Sequence, residues 1–138
     1  MIEKIIHTNK YAKFLKRIDL DAVNKMRNDE LQKYHFLNYD LGEDFVHNSF
    51  GFCIEKDKKV LSACTPCLLS KKSAEISIIT NSNFRKKGLA ALVAAKFILY
   101  CLDHDLTPHW DAANYPSYLL AQKLGYKFIG EYKIYYLK

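Results

Sequence analysis

A strand, a polar turn and a basic, glycine-containing loop lead directly into a helix in the stretch Ile78-Ile79-Thr80-Asn81-Ser82-Asn83-Phe84-Arg85-Lys86-Lys87-Gly88-Leu89-Ala90. The first amides of a helix have no partner within it, and the positive end of the helix dipole lies behind them. Gly88 lets an anion approach the backbone closely, and Ala90 keeps the second turn small. The stretch therefore predicts a seat for a phosphate or a pyrophosphate.

This loop matches neither of the two common phosphate-binding motifs. The Gly-x-x-x-x-Gly-Lys-Ser/Thr spacing of a Walker loop and the Gly-x-Gly-x-x-Gly spacing of a dinucleotide fingerprint are both absent. Arg85-x-x-Gly88-x-Ala90 is a weak signal when it is taken alone. The sequence on either side has to support the interpretation.

The flanking sequence predicts a βαβ unit around the loop. Residues 73–80 alternate between apolar and polar side chains, as in a strand with one buried face. Residues 86–102 are apolar nearly all round, which is typical of a largely covered helix. Residues 107–112 suit a second strand, which would run parallel to the first with a right-handed crossover.

The chain as a whole is expected to form one α/β domain of the α+β type. Three strands joined by charged turns in residues 51–80 predict an antiparallel meander, so the central sheet would be mixed. A helix with Asn114 at its N-cap and Gly125 as its left-handed C′ residue follows. Strands at 126–129 and 132–137 end the chain, and the aromatic final strand is a candidate pairing edge.

The first part of the chain is expected to be helical. Apolar residues at helical spacing predict one helix around residues 9–18, and a second helix begins after a cap at Asp19 or Asp21. In this division, residues 1–48 form a helical N-terminal region and residues 50–137 form the rest of a single domain.

Size and composition exclude a disordered chain. The 138 residues are 49% hydrophobic and 26% charged, and a chain of this length buries about two-thirds of its surface on folding. No uncharged apolar stretch approaches the roughly 20 residues of a membrane span, and residues 1–7 lack the apolar run of a secretory signal. We therefore expect a cytoplasmic protein with no membrane partner.

The charge balance favours an anionic partner without identifying it. Lysine and arginine number 21 against 15 acidic residues, which gives a formal net charge of +6. Such a charge suits a phosphorylated cofactor or a nucleic acid. The basic residues are spread along the chain, and neither an RNP-like aromatic pattern nor a zinc finger is present, so nucleic-acid binding ranks last among the hypotheses.

The four cysteines are expected to be free and mostly buried. Cys64-Thr65-Pro66-Cys67 has C-x-x-C spacing, but Cys53 and Cys101 do not form the second pair of a zinc site. The residues after Cys67 predict a strand, whereas a redox pair normally opens a helix. We expect no metal.

Two motifs together resemble the signatures of the GNAT N-acetyltransferase superfamily. Arg85-x-x-Gly88-x-Ala90 is similar to its (Gln/Arg)-x-x-Gly-x-(Gly/Ala) loop. The second motif, Asn114-x-x-Ser117-x-x-Leu120-x-x-Lys123-x-Gly125-Tyr126, looks like its Asn-x-x-(Ala/Ser) signature running into Lys-x-Gly-(Phe/Tyr). The resemblance covers residues 50–137. It implies a single GNAT-like domain in which the two parallel strands splay apart.

The resemblance also implies acetyl-coenzyme A as the co-substrate. The backbone of Ile78, Ile79 and Thr80 would pair with the pantetheine arm as an added strand. Amides of the loop and the first helical turn would meet the pyrophosphate, and those residues are Lys86, Lys87, Gly88, Leu89, Ala90 and Ala91. The charge of the 3′-phosphate would be met by Arg85, Lys86 or Lys87. Asn114 and Ser117 would contact the cofactor from the next helix, although Asn114 equally suits a simple helix cap.

Direct attack of an amine on a thioester requires a base that takes the ammonium proton. Glu75 is one candidate, because superfamily members often carry a Glu on this strand. His109 is a second, because an imidazole is able both to take up and to release a proton near neutral pH. Asp111 is the third, because it lies two residues along the same strand and therefore on the same face as His109.

The general acid is left open by the sequence. Many relatives carry a Tyr seven residues after the Asn of the second motif, and this chain has Ala121 there. Tyr115, Tyr118 and Tyr126 are possible substitutes, and the thiolate of coenzyme A can also leave without a dedicated acid.

The leading hypothesis is an acetyl-coenzyme A-dependent N-acetyltransferase that acts on a small amine or a protein amino group, as a monomer or a homodimer. The alternative is an acyl-coenzyme A-binding regulatory module of the same fold without efficient turnover. Superfamily acceptor sites are built by the variable N-terminal region and the last strands. Tyr34, His35, Phe36 and Tyr39, with residues 132–136, would line such a pocket, and ordinary core packing explains them equally well.

Overall fold

A mixed sheet of seven strands forms the centre of the fold. The computed structural model describes residues 2–110, 115–128 and 134–136. In chain order the strands are β1 Leu15–Arg17, β2 Phe52–Lys56, β3 Lys59–Leu69, β4 Ser73–Thr80, β5 Thr107–Trp110, β6 Tyr126–Phe128 and β7 Ile134–Tyr136. Their spatial order is β1-β2-β3-β4-β5-β7-β6. Strands β4 and β5 run parallel and the other pairs run antiparallel, which confirms the predicted mixed sheet.

Helices cover both faces of this sheet. They are α1 Ile2–Thr8, α2 Leu20–Arg27, α3 Gly42–Asn48, α4 Leu89–Asp103 and α5 Tyr115–Lys123. Helices α1, α4 and α5 pack on one face, called here the α4 face. Helices α2 and α3 pack on the other, the α2 face, together with a 3-10 turn at Gln32–Phe36. Over the described ranges, every helix is too short or too polar to cross a membrane.

The meander β2–β3–β4 follows from local sequence. Asp57 and Lys58 form the hairpin turn between β2 and β3, with φ of 54° and 64°, as the two central residues of a type I′ turn require. Strand β4 has the predicted bounds. Its even-numbered residues, such as Ala74, Ile76 and Ile78, pack against the core on the α4 face, so its odd-numbered residues face α2.

Helix α4 begins later than the expected start at residue 86. Lys86 and Gly88 have φ of 64° and 77°, and this left-handed backbone cannot continue into a right-handed helix. The helix therefore begins at Leu89, with Gly88 at its N-cap. Residues 86–88 form a separate basic loop.

The expected helix over residues 9–18 is wrong. Helix α1 lies earlier, at Ile2–Thr8, and the side chain of Asn9 accepts the amide of Tyr11 at 2.8 Å. Such a local bond competes with helix continuation. The chain then forms β1, in which Leu15 pairs with Ile54 of β2, so tertiary pairing overrides the helical spacing. The second predicted helix is α2, and Asp19 caps it.

The final strand is not a free edge. Strand β7 pairs with β5 on one side and with β6 on the other. The described edges of the sheet are β1 and β6. The prediction of a pairing edge at the last strand is therefore wrong.

A polar network joins the N-terminal region to the end of β4. Gln32 is fully buried, and its Nε2 donates to the carbonyl of Ile79 at 3.0 Å and to Oδ1 of Asn81 at 3.1 Å. Asn81 Nδ2 donates to the carbonyl of Val60 at 3.2 Å and to the carboxylate of Asp29 at 3.4 Å. These bonds fix the point at which β4 turns into the basic loop.

Replacing Asn81 should therefore destabilise the fold. Asn81→Ala removes the bonds to Val60 and Gln32 in a buried site, and we expect the free energy of unfolding to fall by about 1–3 kcal/mol. Urea unfolding followed by circular dichroism measures this. Asn83→Ala is the matched control, because Asn83 is exposed, and its change should stay below about 0.5 kcal/mol. Equal urea midpoints for the two variants would contradict the network's role.

Candidate active site

Strands β4 and β5 part soon after they meet. Their parallel register runs from Ser73 opposite Thr107 to Glu75 opposite His109, while β4 continues to Thr80 and stays paired with β3 on its other side. A cavity of about 430 Å³ opens at this point, between β4, β5 and helix α5. The two strands therefore form the sides of a wedge-shaped gap.

The side of β4 that faces away from β3 presents backbone groups to the gap. The amide of Asn81 donates to the carbonyl of Leu61 in β3 at 2.9 Å. Backbone groups of alternate residues point to opposite edges of a strand, so those of Ile78 and Thr80 face the gap. Those of Ile79 face β3. Of the three residues predicted to pair with a pantetheine arm, two thus present their backbone to the gap, and all three line the cavity.

The basic loop closes one end of the gap. Within α4 the amide of Leu92 donates to the carbonyl of Gly88 at 3.1 Å, so the amides of residues 89–91 precede the first bond of the helix. A second cavity of about 300 Å³ lies against this helix start. Its lining includes Lys86 and Gly88 from the loop and the preceding residue, Arg85.

Lys87 differs from its neighbours in the loop. Its side chain is exposed, as is that of Lys86, but Lys87 lines neither of these two cavities. Its carbonyl accepts a hydrogen bond from Asn9 Nδ2 at 3.2 Å, and the carbonyl of Gly88 lies 3.5 Å from the same nitrogen. A Cβ added to Gly88 would lie 2.8 Å from Asn9 Nδ2. Asn9 therefore holds the loop from the outside.

Sequence reasoning missed the residues that reach this loop from distant parts of the chain. A third cavity of about 410 Å³ joins helix α1 to the loop, and it is lined in part by Lys4, Asn9 and Lys123. The described residues lining the three cavities include the cations Lys4, Arg85, Lys86 and Lys123 and no carboxylate. Such a surface suits a ligand with several negative charges.

Two of the three proposed bases come together. Glu75 and His109 are register partners in the parallel pair, so both side chains lie on the α2 face, where the strands begin to part. Both are partly buried. Asp111 lies outside the described residues, as does Asn114.

A side-chain hydrogen bond joins helix α5 to β5. Ser117 Oγ accepts from the indole Nε1 of Trp110 at 2.9 Å, and both residues line the cavity between the strands. Ser117, predicted to contact a cofactor, is thus placed at the cavity wall while it bonds the strand beneath.

The candidates for a general acid differ in their environments. Ala121 is fully buried. Tyr126 is buried and donates its hydroxyl to the carbonyl of Pro108 at 3.1 Å, which leaves that proton engaged. Tyr118 is partly exposed and accepts from Gln122 at 2.9 Å. The side chain of Tyr115 lies outside the described part.

The four cysteines all lie in the described ranges and form no disulfide there, and three of them are buried. Cys64 lies on β3 inside the core, and burial raises the pKa of its thiol well above the ordinary value. Cys67 is exposed, at the bulge that interrupts the pairing of β3 with β4. The C-x-x-C spacing thus lies along a strand, as predicted, and not at a helix start.

Comparison with known proteins agrees with this geometry. A family model described as GNAT acetyltransferase matches residues 2–135. The chain is 36% identical over 124 residues to an uncharacterized N-acetyltransferase of Bacillus subtilis, YdfB, covering 88% of this chain and 47% of the relative. It thus spans about half of that curated relative.

Solved structures show the same fold. A GCN5-related N-acetyltransferase-like protein from Streptococcus suis superposes with a TM-score of 0.87 at 30% identity, over 98% of this chain and 54% of the other. An aminoglycoside N-acetyltransferase, AAC(6')-Iy, in complex with CoA, superposes with a TM-score of 0.66 at 17% identity, over 90% and 98% of the two chains. The match over residues 2–135 shows that this chain belongs to the GNAT acetyltransferase family.

Proposed function

We propose that this chain is an N-acetyltransferase that binds acetyl-coenzyme A in the gap between β4 and β5 and acetylates a primary amine. The observation that carries the proposal is the parting of these strands beside a basic helix start. The aminoglycoside acetyltransferase that shares the fold was solved with CoA. Acetyl-coenzyme A supplies an acetyl group activated as a thioester, which an amine attacks directly.

The residues of the gap fit this ligand. The backbone groups of Ile78 and Thr80 at the open edge of β4 suit the amides of the pantetheine arm, as when a peptide adds to a sheet edge. The free amides of residues 89–91 suit the pyrophosphate. Arg85 and Lys86 supply positive charge at the loop, and Lys4 and Lys123 extend it toward α1.

The loop backbone is already shaped for an anion. Lys86 adopts a left-handed conformation at a cost of roughly 1–2 kcal/mol, and such strain concentrates at ligand-binding loops. Gly88 adopts the same left-handed backbone conformation without this free-energy cost, because glycine has no Cβ. We assign the seat of the pyrophosphate to residues 86–91.

Proton removal falls to a group at the point where the strands part. Glu75 and His109 lie there on the α2 face, and Asp111 remains the third candidate. A carboxylate or a neutral imidazole in this position accepts the ammonium proton of the acceptor. We propose that the amine approaches from the α2 face, opposite the side on which α4 and α5 cover the sheet.

A second candidate function is an acyl-coenzyme A-binding module without efficient turnover. Ala121 offers no proton, and the Tyr126 hydroxyl is engaged with Pro108. Acetyl-coenzyme A binding without thiol release across a broad amine panel would favour this alternative.

Gly88→Ala should weaken cofactor binding. The added Cβ meets Asn9 Nδ2 at 2.8 Å, and φ of 77° is unfavourable for alanine, so the loop must shift away from the pyrophosphate seat. We expect the dissociation constant for coenzyme A, measured by titration calorimetry, to rise at least about tenfold, which is about 1.4 kcal/mol.

The matched control for this variant is Gly125→Ala. Gly125 also has a positive φ, of 100°, but it lies at the end of α5. Gly125→Ala should destabilise the fold to a similar degree and leave the affinity for coenzyme A near the wild-type value. Equal affinities for the two variants would contradict the proposed seat.

Glu75→Gln and His109→Gln should separate the two described base candidates. Loss of the base lowers turnover about 10²–10⁴-fold. The affinity for coenzyme A should hold, because neither residue lines the cofactor cavities. Thiol release with an amine panel, followed from pH 5 to 10, measures this, and the variant that lacks the base should lose the rise of rate with pH.

Thr107→Ala is the control, because Thr107 is exposed on the same strand and face as His109. Its turnover should stay within about twofold of the wild type, since surface changes away from the site are near neutral. Wild-type turnover in both Gln variants would exclude Glu75 and His109 and leave Asp111.

A further inference from the structure

A small cavity lies on the α2 face, on the opposite side of β4 from the cofactor gap. It has a volume of about 160 Å³, and it lies between the 3-10 turn Gln32–Phe36 and strands β3 and β4. Its walls include His35, Thr65 and Ser77, and its rim includes Tyr34 and Leu37. The volume corresponds to roughly five water molecules, which suits a small chemical group and not a protein segment.

His35 has one ring nitrogen without a partner in this wall. The side chain is 8% exposed. Its Nδ1 is hydrogen-bonded to Oγ1 of Thr65 at 2.5 Å, while its buried Nε2 has no hydrogen-bond partner among the described residues. A buried polar atom in this state costs about 1–3 kcal/mol. Native proteins keep few such atoms, and many of those that persist serve function.

The imidazole is neutral at physiological pH. Burial lowers the pKa of His35 to about 4. The ring therefore carries no charge, and its Nε2 donates or accepts according to the direction of the Thr65 hydroxyl. A ligand group that both donates and accepts, such as a hydroxyl or an amide, satisfies Nε2 in either case.

The described lining of the cavity is uncharged. Its described residues are Tyr34, His35, Leu37, Asn38, Tyr39, Thr65, Pro66, Cys67, Leu69 and Ser77. A positive charge placed here would lose its hydration without gaining a counter-charge, which is costly. At the mouth, Leu37 is 73% exposed and Tyr34 is 56% exposed, so a short apolar chain finds contacts there.

The cavity lies close to the place where the thioester is proposed to sit. Ser77 lines it, and the next residue, Ile78, lines the cofactor gap on the other face. Glu75 precedes Ser77 by two residues on the same face, a distance of about 7 Å along a strand. One small molecule can therefore reach from the cavity to the point where β4 and β5 part.

We propose that this cavity holds the distal end of the acceptor, and that the acceptor is a small primary monoamine with a hydroxyl or amide group a few bonds from its nitrogen. His35 Nε2 is the partner of that neutral group and makes His35 a specificity-determining residue. This inference rests on the proposed acetyltransferase function. It excludes polyamines and aminoglycosides, whose second positive charge has no partner in this cavity.

The test compares matched amines as acceptors. Thiol release from saturating acetyl-coenzyme A is measured with 3-amino-1-propanol and glycinamide, with n-butylamine as the isosteric amine that lacks a polar end, and with spermidine. We expect kcat/KM for the amino alcohol or the amide to exceed that for n-butylamine and for spermidine at least about tenfold. A preference for spermidine or n-butylamine overturns the proposal.

Two substitutions at one position separate recognition from packing. His35→Asn places an amide near the Nδ1 position and keeps the bond to Thr65, while it removes Nε2. His35→Gln places its amide near Nε2. We expect His35→Asn to raise KM for the polar amines about tenfold or more with little change in kcat, and His35→Gln to retain the preference. Retained preference in a folded His35→Asn, with a wild-type melting temperature, overturns the role of Nε2.

A spectroscopic measurement on the wild-type protein tests the same contact without any substitution, so it does not depend on whether a variant folds. In the protein saturated with coenzyme A, the ¹⁵N resonance of His35 Nε2 should shift on addition of 3-amino-1-propanol and stay in place on addition of n-butylamine. An unchanged resonance with both amines overturns the proposal.

Failure of the proposed acetyltransferase function and failure of this inference about the acceptor give different experimental results. No binding of coenzyme A in calorimetry removes the proposed function together with this inference. Binding of coenzyme A with no acetylation of any monoamine in the panel leaves the cofactor site standing and overturns the assigned acceptor class alone.

Discussion

Among the described residues, the pairing of β4 with β5 ends at Glu75 and His109, and the proposed site depends on the edge of β4 that continues beyond this point. An unpaired strand edge is normally covered or charged, because its amides and carbonyls invite another chain. Here β4 remains fixed by β3 up to Thr80, so the open edge stays straight and presents its backbone to the gap. The crossover helix α4 begins at the same end of β4. One topological feature therefore brings the edge of β4 and the N-terminus of α4 to a single gap.

The loop between β4 and α4 is held from both sides of the sheet. On the α2 face, Gln32 and Asn81 fix the end of β4 through buried hydrogen bonds. On the α4 face, Asn9 bonds the carbonyls of Lys87 and Gly88. These contacts restrain the carbonyls on the outer side of the loop and leave the amides of the first helical turn facing the cavity. Such pre-organisation reduces the entropy that ligand binding has to offset.

Local patterns predicted the parts of this structure that local physics determines. The alternation in residues 73–80 predicts the bounds of β4 correctly. The basic glycine-containing loop and helix α5 follow from backbone and capping preferences. The predicted start of α4 lies three residues before the observed one, because composition does not reveal that Lys86 adopts a left-handed backbone conformation.

Sequence patterns alone do not predict the contacts between residues that are distant along the chain. Strand β1 carries a helical spacing and becomes a strand only because β2 offers an edge to pair with. Lys4 and Asn9 belong to no motif, and they line one cavity with Gly88 only because α1 packs on α4. The sequence leaves two interpretations of His35, pocket lining and core packing. Only the fold shows that Thr65 bonds Nδ1 and that Nε2 has no hydrogen-bond partner among the described residues.

Charge is distributed unequally across β4, and this asymmetry gives the two sides of the strand different chemistry. The cavities around the loop carry four cations and no carboxylate among their described lining residues, so they attract a polyanion. Among its described lining residues, the cavity at His35 carries no charge. The proposal places the neutral end of the acceptor in this cavity and its amine at the point where β4 and β5 part. Direct attack requires the neutral amine, so a base at the point where the strands part has to remove the ammonium proton, while the uncharged cavity selects the other end of the same molecule.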